Sequence, residues 1–177
     1  MIRVLLSVLF CFFALSTAAE RFESTTIHRN GAWSVDLTVD NTDGVMWCTA
    51  KTTNRRSQTF SISAYKGGTL ILYVFDHNWD IAPRPVRFLL DIDYSRWVID
   101  GNADGFSLSL NLHDPVKAVK FIDELAQSNA VALYNTDVVR LATFSLRGSN
   151  ASLLELIDCW KKIDTRDPFK NSKDPFG

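Results

Sequence analysis

The chain has no excess of positive charge: 19 Lys and Arg stand against 20 Asp and Glu, a formal net charge of −1 at pH 7. Nucleic acids and anionic membrane surfaces select for a clustered basic excess, so this balance argues against both as partners. Histidine is scarce. His28, His77 and His113 each stand alone, with no His-Glu-x-x-His and no closely spaced pair, and no zinc site is assigned. Also missing are a Gly-x-Ser-x-Gly elbow, a Cys-x-x-Cys redox pair and a Gly-x-x-x-x-Gly-Lys phosphate loop. Nothing that remains calls for a cofactor.

Long hydrophobic runs are lacking too, with one exception. Beyond residue 19 the longest, Thr69 to Phe75, has the length of a strand, whereas a bilayer crossing needs roughly 20 residues. The exception is the start: Arg3, then Val4 to Leu15 broken only by Ser7, then Ser16-Thr17-Ala18-Ala19 before Glu20. Charge, short apolar run and small residues in that order predict a cleavable secretory leader, residues 1–19, cut after Ala19. Phe10 stands where lipid attachment at Cys11 would need a small residue, so Cys11 is leader content. The expected location is periplasmic or secreted, with no membrane span after cleavage.

Cysteine is rare, and losing Cys11 leaves only Cys48 and Cys159. In an oxidising compartment an isolated pair is expected to form a disulfide. It would tie an early strand to the last helix across about 110 residues, for up to ~4–5 kcal/mol in chain-entropy terms.

What is present is mostly β pattern. Ala32 to Val39, Val45 to Thr52 and Thr59 to Ala64 alternate apolar and polar residues, with Asn41-Thr42-Asp43-Gly44 as a turn. Lys66-Gly67-Gly68 turns into Thr69–Phe75, which is apolar on both faces and is expected near the centre. Asp76 to Pro85 holds two prolines and reads as a loop. Val86–Ile92, Arg96–Asp100, Phe106–Leu110, Ala130–Tyr134 and Val138–Leu146 read as further strands. A helix over Val116–Gln127 follows His113-Asp114-Pro115, with Val116, Val119, Ile122 and Ala126 inward and Lys117, Lys120 and Glu124 outward. A second, Asn150–Lys162, opens at Gly148-Ser149, the serine capping it, and buries Leu153, Leu156, Ile157 and Trp160. The expected fold is an antiparallel β-sandwich or partly closed barrel over residues 20–163 with two helices, one of them C-terminal. Residues 164–177, charged and carrying Asp-Pro-Phe twice, read as a disordered tail.

Three constellations bear on chemistry. Asp100-Gly101-Asn102-Ala103-Asp104-Gly105 matches the first half of a calcium loop, but Asn111 stands where a closing Glu is required, and the segment reads as a plain turn. Asp91 and Asp93 share one strand face, expected in solvent. The expected binding site is the proline-containing loop, where Trp79 sits with His77, Arg84 and Arg87, because loops and Trp/Arg anchors carry recognition. The tryptophans inside strands, Trp33, Trp47 and Trp97, are expected in the core.

Gly31-Ala32-Trp33-Ser34-Val35, and Phe144-Ser145-Leu146-Arg147-Gly148-Ser149-Asn150-Ala151-Ser152-Leu153-Leu154-Glu155-Leu156, resemble the opening and closing segments of invasion-associated locus B-like proteins. Those are exported β-sandwich proteins of Gram-negative bacteria with no established catalytic activity. The resemblance implies location and fold type and carries over no functional residue. The expected function is non-enzymatic binding of another envelope or periplasmic protein. The alternative is a small secreted hydrolase using His77 with Asp76 or Asp80.

Overall fold

The computed structural model describes residues 20–165. The leader and the tail's two Asp-Pro-Phe tripeptides lie outside the described residues. Within them, ten strands and two helices follow in order: β1 (Phe22–Asn30), β2 (Trp33–Asp40), β3 (Met46–Thr53), β4 (Thr59–Tyr65), β5 (Leu70–Phe75), β6 (Ile81–Ile92), β7 (Ser95–Gly105), β8 (Ser107–Asn111), α1 (Pro115–Gln127), β9 (Ala130–Tyr134), β10 (Arg140–Ser145) and α2 (Ser149–Thr165).

All strands join one antiparallel sheet in the order β1-β2-β3-β4-β5-β8-β7-β6-β9-β10. A sheet of this many strands cannot stay flat and two-faced, so it doubles over on its own apolar side. The β10 end comes to rest against β2–β4: Phe144 packs on Phe60 at 5.5 Å between ring centroids, and the Trp33 indole N–H donates to the Ser145 carbonyl. The enclosed core is the alternate set from each of β2 to β10, including Val35, Ala50, Ile62, Leu72, Leu90 and Leu133.

Helix α2 covers the remaining inner face of β2–β4. Leu153, Leu156, Cys159 and Ile163 are buried. Cys159 closes the disulfide to Cys48 on β3, with Cα atoms 6.1 Å apart. Ile157 and Trp160, expected inward, sit half-buried on the flank, where the Trp160 indole donates to the Tyr65 carbonyl. The helix runs to Thr165 and takes in the first residues assigned to the tail. Ser149 is fully buried, and its hydroxyl donates to the Leu125 carbonyl at the end of α1 instead of capping its own helix.

The expected sandwich with two helices is what forms; several local readings change. The missed strand is β1, FESTTIHRN, which is exposed along nearly its whole length as a sheet edge and so shows no apolar alternation. The loop expected over Asp76–Pro85 ends at Asp80. Pro83 and Pro85 fall inside β6, where only β7 lies alongside, because β9 pairs with Leu89–Ile92 alone. A missing N–H costs no ladder bond on that open side, and Pro83 lies within a register shift between Ile81 and Arg84.

The expected turn at Asp100–Gly105 is mostly strand. Asp100, Asn102 and Asp104 lie exposed at alternate positions of β7, spread along an extended chain instead of converging as a calcium loop would. Asp93 leaves the strand: with φ 46° it accepts from the N–H groups of Asn129 and Ala130, fixing the start of β9.

In α1, Asp114 caps as expected, accepting from Val116 and Lys117 N–H. The buried stripe is Ala118, Phe121 and Leu125, while Val116 and Val119 are 77% and 61% exposed. Phe121 and Leu125 bring more apolar area to the core than the valines would, and that decides the helix's rotation. Glu124, expected outward, is half-buried and accepts the Trp97 indole N–H at 2.7 Å.

The disulfide joins two buried positions far apart in sequence, so replacing Cys48 and Cys159 together by alanine should cost about 2–5 kcal/mol, read as a lower urea midpoint with a steeper slope because the uncrosslinked unfolded chain exposes more surface.

Candidate binding surfaces

The segment joining β5 to β6 is organised by one carboxylate. Asp76 is buried, and its Oδ1 accepts from the Asn78 backbone N–H and side-chain amide, both at 2.9 Å. Its Oδ2 accepts from Gln58 Nε2 at 2.7 Å. The Asp76 carbonyl accepts from Trp79 N–H, which closes the turn and places the indole. Burial opposes ionisation of Asp76, but the Asn78 and Gln58 hydrogen bonds and nearby His77 together hold its carboxyl below the ordinary range.

Trp79 is half-buried against the core and forms one wall of a concavity of about 240 Å³. Ile81, Val86, Phe88 and Leu141 give it apolar surface, and Arg84 and Arg87 belong to its lining. The two arginines differ. The Arg87 guanidinium is held by Asp100 at 2.6 Å. Arg84 reaches only the carbonyl of Ala82, at 3.3 Å, and keeps the rest of its donors for solvent or ligand.

Three of the four expected site residues therefore share one cleft. His77 does not join them. It turns to the outer face of the sheet and packs on Phe106 at 5.8 Å between centroids. Asp76 accepts from Asn78 at Oδ1 and from Gln58 at Oδ2, and the His77 ring packs on Phe106 instead of hydrogen-bonding that carboxylate. The far wall, Asn135 and Leu141, escaped the sequence reading because it comes from β10 and the turn before it, more than fifty residues away.

A second concavity missed in sequence lies between β10 and the β3–β4 turn. Arg55, Arg56 and Arg140 belong to its lining, and its volume is about 570 Å³. Among the described residues no group of three or more His, Cys, Asp or Glu side chains is placed to hold a metal ion.

The fold has a solved counterpart. The crystal structure of invasion associated protein B from Bartonella henselae matches with a TM-score of 0.52 at 15% identity, over 76% of this chain and 97% of that one. No protein family matches the sequence, and no curated protein does. The resemblance seen around Trp33 and through 144–156 thus stands as a likeness of fold.

Asp36, Asp76, Asp91 and Asp93 all sit below the ordinary carboxylate range in the folded chain, held by hydrogen bonds or ion pairs against desolvation. The unfolded chain therefore binds more protons near pH 4, so stability present above that pH is lost as pH falls through the folded values. The melting temperature should be nearly flat from about pH 7 to 5 and drop below about pH 4. Gln58→Leu, which strips Asp76 of a buried partner, should cost about 1–3 kcal/mol in urea unfolding and shrink that acid-side drop.

Proposed function

We propose that this chain is an exported, non-enzymatic binding protein of the bacterial envelope that takes its partner in the Trp79 cleft. The observation that carries the binding reading is the cleft: an apolar lining, one indole wall, and a guanidinium at Arg84 with most of its donors uncommitted. That combination suits a partner that inserts an apolar side chain and presents a carboxylate beside it. Export is supported by the leader pattern of residues 1–19 and by a disulfide between buried cysteines, which persists in oxidising compartments. The exported likeness seen in sequence and the matching fold support the same location.

The test is complementation of a deletion strain with variants of matched folding, checked by melting temperature. Trp79→Ala combined with Arg84→Glu should fail to restore the deletion phenotype, whereas His77→Ala and Asp80→Ala should restore it fully. Restoration by the cleft variant would remove the cleft from the function. Fractionation with non-reducing peptide mapping checks the other half: periplasmic protein with Cys48 bridged to Cys159 is expected, and reduced cytoplasmic protein would end the export reading.

A further inference from the structure

The outer face of β3–β5 carries a feature that the cleft does not explain. Outward positions of a solvent-facing sheet are usually polar, yet here they hold a run of aromatic rings in contact. Phe22 meets Trp47 edge-on at 5.8 Å, and Trp47 stacks on Tyr65 at 5.6 Å with 23° between planes. Tyr73 stacks on Phe75 at 5.4 Å and 18°, and Phe75 leads on to Phe106 and His77. Between the rings the floor is hydroxyl: Thr49 bonds Ser63 at 2.8 Å, and Thr53 bonds Thr59 at 3.1 Å. The surface is hollowed, with a volume of about 570 Å³.

We infer that this hollow is a binding platform for a neutral oligosaccharide. A pyranose ring has an apolar C–H face and a rim of hydroxyls that both donate and accept. Half-exposed Trp and Tyr rings offer flat apolar faces with few rotors to immobilise, and serine and threonine hydroxyls likewise donate and accept. From the register, Trp47 lies level with Tyr65 at one end, and Phe75 lies level with Thr59 and Thr53 at the other. Six residues of strand separate those levels, about 20 Å, so the hollow accepts a chain of sugars.

Charge and backbone narrow the occupant. The one lysine in the lining, Lys51, is paired with Asp36 at 2.5 Å, so an anionic ligand finds no free ammonium on the floor. Burial and the adjacent Tyr73 push the Tyr65 phenol above its ordinary value, which keeps it a neutral hydroxyl. An extended peptide cannot add as a strand here, because β3, β4 and β5 are each paired on both sides. A protein hot spot would want an apolar centre, and this centre is a floor of Thr and Ser hydroxyls.

The test is calorimetric titration of the purified chain with chitotetraose, cellotetraose and maltotetraose, alongside the corresponding monosaccharides. At least one tetrasaccharide should bind with a Kd of about 1 mM or tighter, and its monosaccharide at least about tenfold more weakly. Trp47→Ala and Tyr73→Ala, tested separately so that one misfolded variant does not decide the matter, should each weaken binding at least about tenfold. Trp79→Ala with Arg84→Glu should leave it unchanged, which separates this platform from the cleft. No heat with any tetrasaccharide at about 10 mM, or binding indifferent to both platform variants, would overturn the assignment.

Discussion

A sheet of ten antiparallel strands that does not close must satisfy its last edge without another strand, and in this fold that edge is β10. Its carbonyls at 141, 143 and 145 point away from β9. Side chains meet all three: Gln58 Nε2 donates to Leu141, Asn54 Nδ2 to Thr143 and the Trp33 indole to Ser145. The bonds to Leu141 and Ser145 are part-buried, where an acceptor left unmade costs up to about 1–3 kcal/mol, while the exposed Thr143 carbonyl could turn to water instead. Three donors from β2 and the β3–β4 turn thus do what an eleventh strand would otherwise do, and they hold the sandwich shut while leaving a groove along the seam.

The same contacts reach the cleft. Gln58 is 3% exposed and completely engaged: its carbonyl accepts from Asn54 Nδ2, and its amide serves both Leu141 and Asp76. Asp76 in turn fixes the Asn78–Trp79 turn. The position of the Trp79 indole is therefore coupled to closure of the seam, and a partner that bound in the cleft would act on the same network. Helix α2 is held at two points: the Ser149–Leu125 hydrogen bond ties its start to α1, and the Cys48–Cys159 bridge ties its later turns to β3.

How much of this was legible depended on where each segment faces. Strands β2 to β5 were read correctly because apolar and polar residues alternate along β2, β3 and β4, β5 is an apolar run of strand length, and glycine-containing or polar turns lie between them. β1 was invisible because an edge strand with both faces wet carries no period. β7 was cut short because Asp100, Asn102 and Asp104 are turn residues placed on a solvent face, where an extended chain tolerates them. Trp79, Arg84 and Arg87 were found together because one turn and one strand hold them. Leu141 could not be, since its place at the cleft is set by β10 folding back across the whole sheet.

The least legible feature was which face of β3 is inside. The larger residues of β3's alternation suggested that Trp47 belongs to the core, yet the buried positions of β3 are Cys48, Ala50 and Thr52, with Ala64 beside Cys48 on β4. The reason is α2. It lies across the inner face close enough for Cys159 to bridge to Cys48, so the strand positions beneath it must be small. With period two fixed, small residues inside put Trp47 and Tyr65 outside, opposite Tyr73 and Phe75 on the same solvent face. The inner geometry explains why the aromatics lie on that side. It does not require them to be aromatic, since threonine or lysine serves as well at neighbouring outward positions such as Thr49 and Lys51. Rings kept half-exposed around a hydroxyl floor are therefore a choice made for the outer surface, and recognition is the physical role that such a surface fits.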